Sequence, residues 1–483
     1  MSNKKGSLDF YKIKTDKYGN IEDCKLIYLQ FTDYLYNHGF MRFDIEESFI
    51  FVQIKDFIIE KKEVHHIQDF VIGIIKDTDN KLFENNNEKK SLLETFHKSP
   101  ANYFNDRRLS LLNPRTEINF NNDTKNQSFI YYKNGYVEIT ANSSVLKKYS
   151  ELQNYIWKSQ ILDRDFKEMT PANFDEFGMF AKFIFNICAQ DEERFESFMT
   201  ILGYLLHDFY DTKLKAVILT DSTISENPDG RTGKTLIGKA IGKIRNYTEI
   251  SGKDFDHSSP FKYQEAAIDT QVIHINDAKK YFDIETLFND ISEGVKIEKK
   301  GKQSFSKQLK IVVSTNQTIK VDGGSAKDRT IEFELTNHYS NKYSPFDEFK
   351  QWFFSKDWST NEWARFDNFM ILCIQTFLDK DLIVPDGINL NSRKLLDRTN
   401  FEFMEWIQNL WTTRQIKPNH TYDKKEYHEM FLDENPDFKE DKRLKKQRTF
   451  SKFLAYFAEF TPEIHTFKAE KSNGNALFSF KTQ

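Results

Sequence analysis

The chain has 483 residues, 39% of them hydrophobic, 29% charged and 15% aromatic, a composition that excludes disorder and, at this length, allows about three domains. With 69 Lys and Arg against 73 Asp and Glu the formal charge is -4, so a polyanionic partner has to be met by a local patch. The three cysteines, Cys24, Cys188 and Cys373, are too widely spaced for a disulfide framework or a zinc module, and no apolar run reaches the length of a membrane span. The first residues, Met1-Ser-Asn-Lys-Lys-Gly, carry no apolar signal segment, and a cytoplasmic location is the expectation.

Residues 1–150 read as a mixed α+β region. Apolar stretches between Ser48 and Ile59 predict strand, and Phe129 to Thr140 predicts a hairpin turning at Asn134-Gly135, a pair suited to the positive φ angles of a type I′ turn. Asp79 to Lys90, rich in Asn, Asp, Glu and Lys, reads as a solvated loop. From about residue 150 to 211 the pattern becomes helical: Phe174, Phe177, Phe180, Ile184 and Ile187 recur at three- and four-residue spacing, and Phe195 to Leu206 continues it. Lys213 to Thr220 reads as an apolar strand, followed by a polar loop and a helical run from Lys234 to Ile244. Further strands at Val272 to Ile275 and Ile311 to Val313 complete an alternation that predicts an α/β sheet. Helical, aromatic-rich sequence runs from Phe346 to Leu378. Beyond Asn400, helices at Phe401 to Trp411, Lys424 to Leu432 and Phe450 to Phe460, then a strand at Ala476 to Phe480, follow the order of a winged helix-turn-helix.

The sharpest chemical signal is Asn227-Pro228-Asp229-Gly230-Arg231-Thr232-Gly233-Lys234-Thr235. In a phosphate loop, backbone N–H groups and a helix N-terminus face the phosphates, a lysine adds charge and a hydroxyl ligates Mg²⁺. Here Gly230 and Gly233 permit close approach, Lys234 reaches the phosphates and Thr235 holds the metal. Pro228 stands where such loops carry their first glycine; it stiffens the entry and removes one N–H. An isolated Gly-Lys-Thr reads equally well as a loop before an amphipathic helix. Two later strand ends add to it: Val-Ile-His-Ile-Asn276-Asp277, where an acid can bind Mg²⁺ or polarise water, and Ile-Val-Val-Ser-Thr-Asn316, where an amide can hold the attacking water or sense the γ-phosphate. Taken singly, Asp277 is an ordinary capping acid and Asn316 an ordinary turn residue. In order, at the ends of apolar strands, they fall where ligands of open α/β sheets bind.

These motifs, packed into fewer than 100 residues, resemble superfamily 3 helicases of the AAA+ group, and more closely the helicase part of poxvirus-type, phage and plasmid primase-helicases of Bacteroidetes mobile elements. The segment Ile201-Leu-Gly-Tyr-Leu-Leu206 ahead of the loop belongs to the same likeness, which spans about residues 150 to 460. The resemblance implies an AAA+-type P-loop NTPase core at 212–345, preceded by a helical subdomain at 151–211 and an N-terminal α+β domain at 1–150 that serves as a collar or binds origin or partner. It implies a helical lid or linker at 346–399 and a winged-helix-like DNA-binding domain at 400–483. It implies that the segment from Glu293 to Phe305 is a hairpin gripping single-stranded DNA through Lys296, Lys299, Lys300 and Lys302, although lysines also serve simply to keep an exposed hairpin soluble. It implies that Arg329, with Lys327 as second choice, acts on the neighbouring subunit's nucleotide; a surface salt-bridge arginine is the other reading.

One departure bears on activity. Close relatives end this strand in two acids, whereas here the first is Asn276, and an amide cannot act as a base; Glu285 lies too far along to replace it. The N-terminal region shows no Asp-x-Asp pair on a strand with a downstream His, and Asp44-Ile-Glu46 is its nearest acidic pair, so primase activity is not expected. Near the C-terminus, seven basic residues against two acidic ones between Lys439 and Lys452, Lys445 and Lys446 among them, would suit duplex backbone contact or form a solvated face. The sequence therefore reads as an ATP- and Mg²⁺-dependent replicative DNA helicase of a phage or mobile element, a ring oligomer, hexameric by resemblance, on single-stranded and fork DNA, with a separate primase as a possible partner. The alternatives are an ATP-binding regulatory or defence oligomer with weak hydrolysis, which Asn276 favours, and a DNA-binding scaffold with a degenerate loop.

Overall fold

Short apolar runs separated by helices assemble around one parallel sheet at the centre of the chain. The structure, a computed structural model, describes residues 8–46, 48–79, 83, 86–211, 214–223, 232–279, 282–300, 304–317, 319, 324–384, 387–441, 445–472 and 474–482. Helices α1 (Gly178–Ile187) and α2 (Glu192–Leu206) come first, α2 being capped by Asp191, whose side chain accepts from Arg194 N. Then follow β1 (Ala216–Asp221), α3 (Lys234–Ile241), β2 (Tyr247–Ser251), β3 (Val272–Asn276), β4 (Lys310–Ser314) and β5 (Thr330–Leu335). The strand order is β2-β3-β4-β1-β5, all pairs parallel. β1 and β4 are buried at every residue, which explains the apolar runs Ala216–Leu219 and Ile311–Val313 within them. Helix α4 (Thr360–Lys380), capped by Ser359, packs on α1 and α2. The result is a mixed α/β architecture with a parallel sheet.

Register decides which side chains meet. Leu219 pairs with Ser314, Ile275 with Val313 and Glu249 with His274. Because alternate residues share a face, Asp221, Ser314, Asn276 and Glu249 all lie on one side of the sheet near its C-terminal edge. That side is covered by α3: a Cβ on Gly238 would come within 2.5 Å of both His274 Nδ1 and the Tyr247 hydroxyl.

Three expectations are corrected in the N-terminal half. The Phe129–Thr140 hairpin forms, but Tyr132 pairs with Gly135, so its two-residue turn is Lys133-Asn134. Asn134 is held instead by tertiary bonds, donating from Nδ2 to Phe166 O and accepting from Phe166 N, each at 2.9 Å. Gly135 is required because the next strand comes so close that a Cβ would lie 2.3 Å from Lys147 O. The solvated loop expected over Asp79–Lys90 is helical from Asn86 (Asn86–Lys98), since Leu92 and Phe96 of that helix are buried. The helical pattern expected from about residue 150 begins only at Phe174, because Ile156–Trp157 and Ile161–Leu162 are strands that complete the two preceding sheets.

The N-terminal sheets are tied to the centre by Arg245, just beyond α3. Its buried guanidinium donates to Phe129 O at 2.7 Å, to Ser128 Oγ at 2.9 Å, to Asp123 at 3.0 Å and to Leu206 O at the end of α2. At the other end, helix Leu390–Arg398 is drawn onto the sheet. Buried Glu334 of β5 accepts from Ile388 N at 2.7 Å and Asn389 N at 3.1 Å, and Arg393 donates to Thr220 Oγ1 at 3.0 Å and pairs with Glu334 at 3.5 Å. Leu395 of the same helix packs into a separate core formed by helices Phe401–Thr412, Lys424–Glu434 and Gln447–Glu459, beside a three-stranded antiparallel sheet of Thr421–Asp423, Thr466–Ser472 and Asn475–Lys481. Among the described residues no helix is long and apolar enough to cross a membrane.

The contact between α2 and α4 requires a glycine: a Cβ at Gly203 would lie 2.1 Å from Cys373 O and 2.6 Å from Phe377 Cβ. Gly203→Ala should therefore lower stability by about 1–3 kcal/mol despite the helix propensity it adds. Gly73→Ala, in helix Val64–Asp77 with open space around it, should raise stability by about 0.5–1 kcal/mol. Urea unfolding of the two variants checks both signs.

Candidate functional site

The C-terminal ends of β3 and β4 and the N-terminus of α3 enclose a cleft of about 380 Å³. Thr232, Gly233, Lys234, Thr235, Asn276, Asp277, Ser314 and Asn316 are among its lining residues, and Pro345 borders it from beyond β5. The expected site residues Lys234, Thr235, Asn276, Asp277 and Asn316 are thus brought together. Pro228, Asp229, Gly230 and Arg231 lie outside the described residues. Gly233, at φ 109°, turns the chain into α3 and packs so closely on Phe183 of α1 that a Cβ would lie 2.4 Å from the ring. Beneath it Phe183 stacks on Tyr339, ring centroids 5.4 Å apart.

Lys234 is buried, and an ammonium in that position needs an anion. It bonds to Asp221 at the end of β1, which also accepts from the Thr232 hydroxyl, and Lys234 Nζ lies 3.2 Å from Thr232 Oγ1. Burial lowers the Lys234 pKa, and Asp221 opposes that shift. Asp221 Oδ2 is buried and finds no donor among the described residues. Asp221 carried no motif signal, since an acid ending an apolar strand is common.

On the other side of the cleft a hydrogen-bond chain crosses three strands. Ser314 Oγ lies 2.8 Å from His274 Nε2 and donates to Asn276 Oδ1 at 2.8 Å, while Asn276 Nδ2 donates to Glu249 Oε1 at 2.9 Å. His274 Nδ1 lies 2.6 Å from the Tyr247 hydroxyl. Since the Ser314 proton goes to Asn276, His274 Nε2 carries the imidazole proton and Nδ1 accepts from Tyr247. Asp277, in the left-handed region at φ 59°, pairs with Lys253 at 2.7 Å. Thr235, Asp277 and the Asn276 amide oxygen are hard oxygen donors of the kind Mg²⁺ takes. Among the described residues no three His, Cys, Asp or Glu converge on a metal position.

The remaining expected residues lie elsewhere. Arg329 ends the segment Gly324–Arg329, away from the cleft; its Nε donates to Ser292 Oγ at 3.1 Å and its guanidinium sits 5.5 Å from the Phe288 ring centre. Arg329 does not border the cleft of its own chain, and the Lys327 side chain lies outside the described residues. The lysine hairpin forms from Val295–Ile297 and Phe305–Lys307, with Lys296 paired to Glu298 at 2.6 Å and Lys299 and Lys300 in its connection; Lys302 is outside the described residues. Lys307, at the end of the hairpin's second strand, donates to Ile268 O at 2.6 Å, and burial lowers its pKa. Glu46 of the N-terminal region accepts from Ser306 N at 3.1 Å, tying the hairpin to that region. Lys445 and Lys446 are exposed ahead of helix Gln447–Glu459.

Residues 227–330 match a family described as a family of unknown function, DUF5906. No curated protein matches the chain. Among solved structures the chain is similar to the NrS-1 C-terminal region, at 11% identity over 94% of this chain and 98% of that one, with a TM-score of 0.40. It is also similar to SCCmec type IV Cch, described as an active helicase, at 12% identity over 91% and 92% of the two chains with a TM-score of 0.27, and to JCV helicase at 12% identity over 43% and 54% with a TM-score of 0.26.

Burial holds the His274 pKa at about 4 instead of 6.5, so the folded protein binds fewer protons here than the unfolded chain between those values. Stability should then fall as pH drops from 6.5 toward 4, by about 3 kcal/mol for this group, and be unaffected by it above 6.5. Urea midpoints for the wild type and His274→Gln across pH 4 to 8 check this: the variant should show a shallower acid loss.

Proposed function

We propose that the chain is an ATP-dependent DNA helicase of the superfamily 3, AAA+ type, working on single-stranded and fork DNA as a ring oligomer, hexameric by resemblance. The observation that carries this reading is the convergence of Lys234, Thr235, Asp277 and Asn316 on one cleft at the C-terminal edge of a parallel sheet. The strand order supports it, because β4, bearing Ser314 and leading to Asn316, lies between the loop strand β1 and the acid strand β3. An amide there stands between the phosphates and the acid. Lys234 would leave Asp221 to meet the phosphates of ATP, Thr235 and Asp277 would hold Mg²⁺, and Asn316 would orient water or sense the γ-phosphate. When bound, Mg²⁺ would neutralise charge on the phosphate oxygens.

Arg329, outside the cleft of its own chain, is assigned to the neighbouring subunit's nucleotide. Lys296, Lys299, Lys300 and Lys302 are assigned to single-stranded DNA, with affinity that falls steeply with salt. The C-terminal helices and antiparallel sheet are read as a winged-helix-like DNA-binding domain with Lys445 and Lys446 on its basic side, and the N-terminal region as a collar or partner-binding domain. A phage or mobile-element replicon, a bacterial cytoplasm and a separate primase follow from the same reading.

Steady-state ATPase with and without single-stranded DNA tests the proposal. Lys234→Ala should lose at least 100-fold in turnover, and Arg329→Ala should bind ATP yet lose at least 1,000-fold of the DNA-stimulated rate, on the order of an arginine finger's contribution. Mixing the two inactive variants should restore part of the activity, since some interfaces then combine an intact loop with an intact arginine. Wild-type turnover by Lys234→Ala would overturn the assignment.

A further inference from the structure

The strand that ends at the cleft carries an amide where a second acid is expected, and the neighbouring strand brings a carboxylate to it. Glu249 of β2 pairs in register with His274 of β3, so Glu249 and Asn276 share the face of the sheet beneath α3. Asn276 is oriented from one side only: its Oδ1 takes the Ser314 hydroxyl at 2.8 Å, which leaves Nδ2 to donate to Glu249 Oε1 at 2.9 Å. Glu249 Oε2 lies 3.2 Å from the Tyr247 hydroxyl, whose proton goes to His274 Nδ1. The Asn276 donor is neutral. Asp277, by contrast, is paired with Lys253 at 2.7 Å, so its charge is already matched by an ammonium. The carboxylate beside Asn276 thus stands on the neighbouring strand, and the amide reaches across to it.

Resting on the nucleotide reading above, we infer that Glu249 is the general base for ATP hydrolysis and that Asn276 is its positioning residue. A water lodged between Glu249 and the γ-phosphate gives a proton to the Glu249 carboxylate as its oxygen bonds to the γ-phosphorus. The bond from that phosphorus to the β–γ bridging oxygen breaks, and its electron pair leaves with ADP. The products are ADP and phosphate, and the carboxyl returns its proton to solvent. Glu249 lies on the outermost strand of the sheet, one strand beyond Asn276 from the loop, so the longer glutamate side chain suits the reach.

The experiment compares Glu249→Gln, Glu249→Ala and Asp277→Asn in the full chain, measuring binding of a fluorescent ATP analogue beside kcat and KM. Glu249→Gln should lose at least 100-fold in kcat, as expected for removal of a general base, while binding the analogue within threefold of wild type. Added formate should restore part of the turnover of Glu249→Ala, a response that a purely structural role for the carboxylate would not give. Glu249→Gln turning over at the wild-type rate, with Asp277→Asn inactive, would overturn the inference and leave the nucleotide reading standing. Absence of analogue binding by the wild type would instead remove the nucleotide reading itself.

Discussion

A guanidinium cannot be buried with its donors unfilled, and Arg245 meets that demand by gathering bonds from three parts of the chain. It draws together the end of α2, the strand Ser128–Tyr132 and Asp123, all from a position just past α3. The far end of the loop helix is thereby fixed to the N-terminal sheets. With α3 anchored there and its middle packed down on His274 through Gly238, the N-terminus of the helix is held at the edge of the sheet, where Lys234 and Thr235 open the cleft. Removing one partner of such a buried pair generally costs about 3–5 kcal/mol.

The same rule governs the cleft itself. Lys234 is buried against Asp221, so on the proposed nucleotide reading an anionic ligand would have to compete with a carboxylate already in place. That exchange would change the surroundings of Asp221 at the end of β1. On the opposite wall, beside Asp277, the hydrogen-bond chain down to Glu249 is uncharged, and its imidazole, hydroxyl and amide are oriented in turn by one another. The two walls therefore differ in kind. One is built to exchange partners and the other to hold its geometry.

Much of this was legible in the sequence. The Gly233-Lys234-Thr235 turn, the strand ending in Asn276-Asp277 and the strand leading to Asn316 declare themselves because buried parallel strands read as apolar runs and their ends carry the polar groups. Asp221 and Glu249 were not legible, since each acquires its meaning from a neighbour far away in sequence. β2 was missed as a strand because only Ile250 of its five residues is buried, and β5 because its Thr-Ile-Glu-Phe-Glu-Leu alternation carries two acids that find partners in Lys394 and Arg393. At Asn134-Gly135 the local turn signal yielded to two bonds with Phe166, a case of tertiary context overriding dipeptide preference. Burial likewise sets Lys307 of the hairpin's second strand apart from Lys296 of its first, a distinction that residue type alone does not carry.

Helix Leu390–Arg398 belongs to two bodies at once. Arg393 is bound at the sheet, between Thr220 and Glu334, while Leu395 is embedded in the C-terminal core. Thr220 adjoins Asp221, the residue that grips Lys234. The helix consequently links the C-terminal core to the end of β1. A displacement of the C-terminal core would reach the sheet through Arg393 and Glu334, and through Thr220 it would arrive one residue from the counter-ion of Lys234.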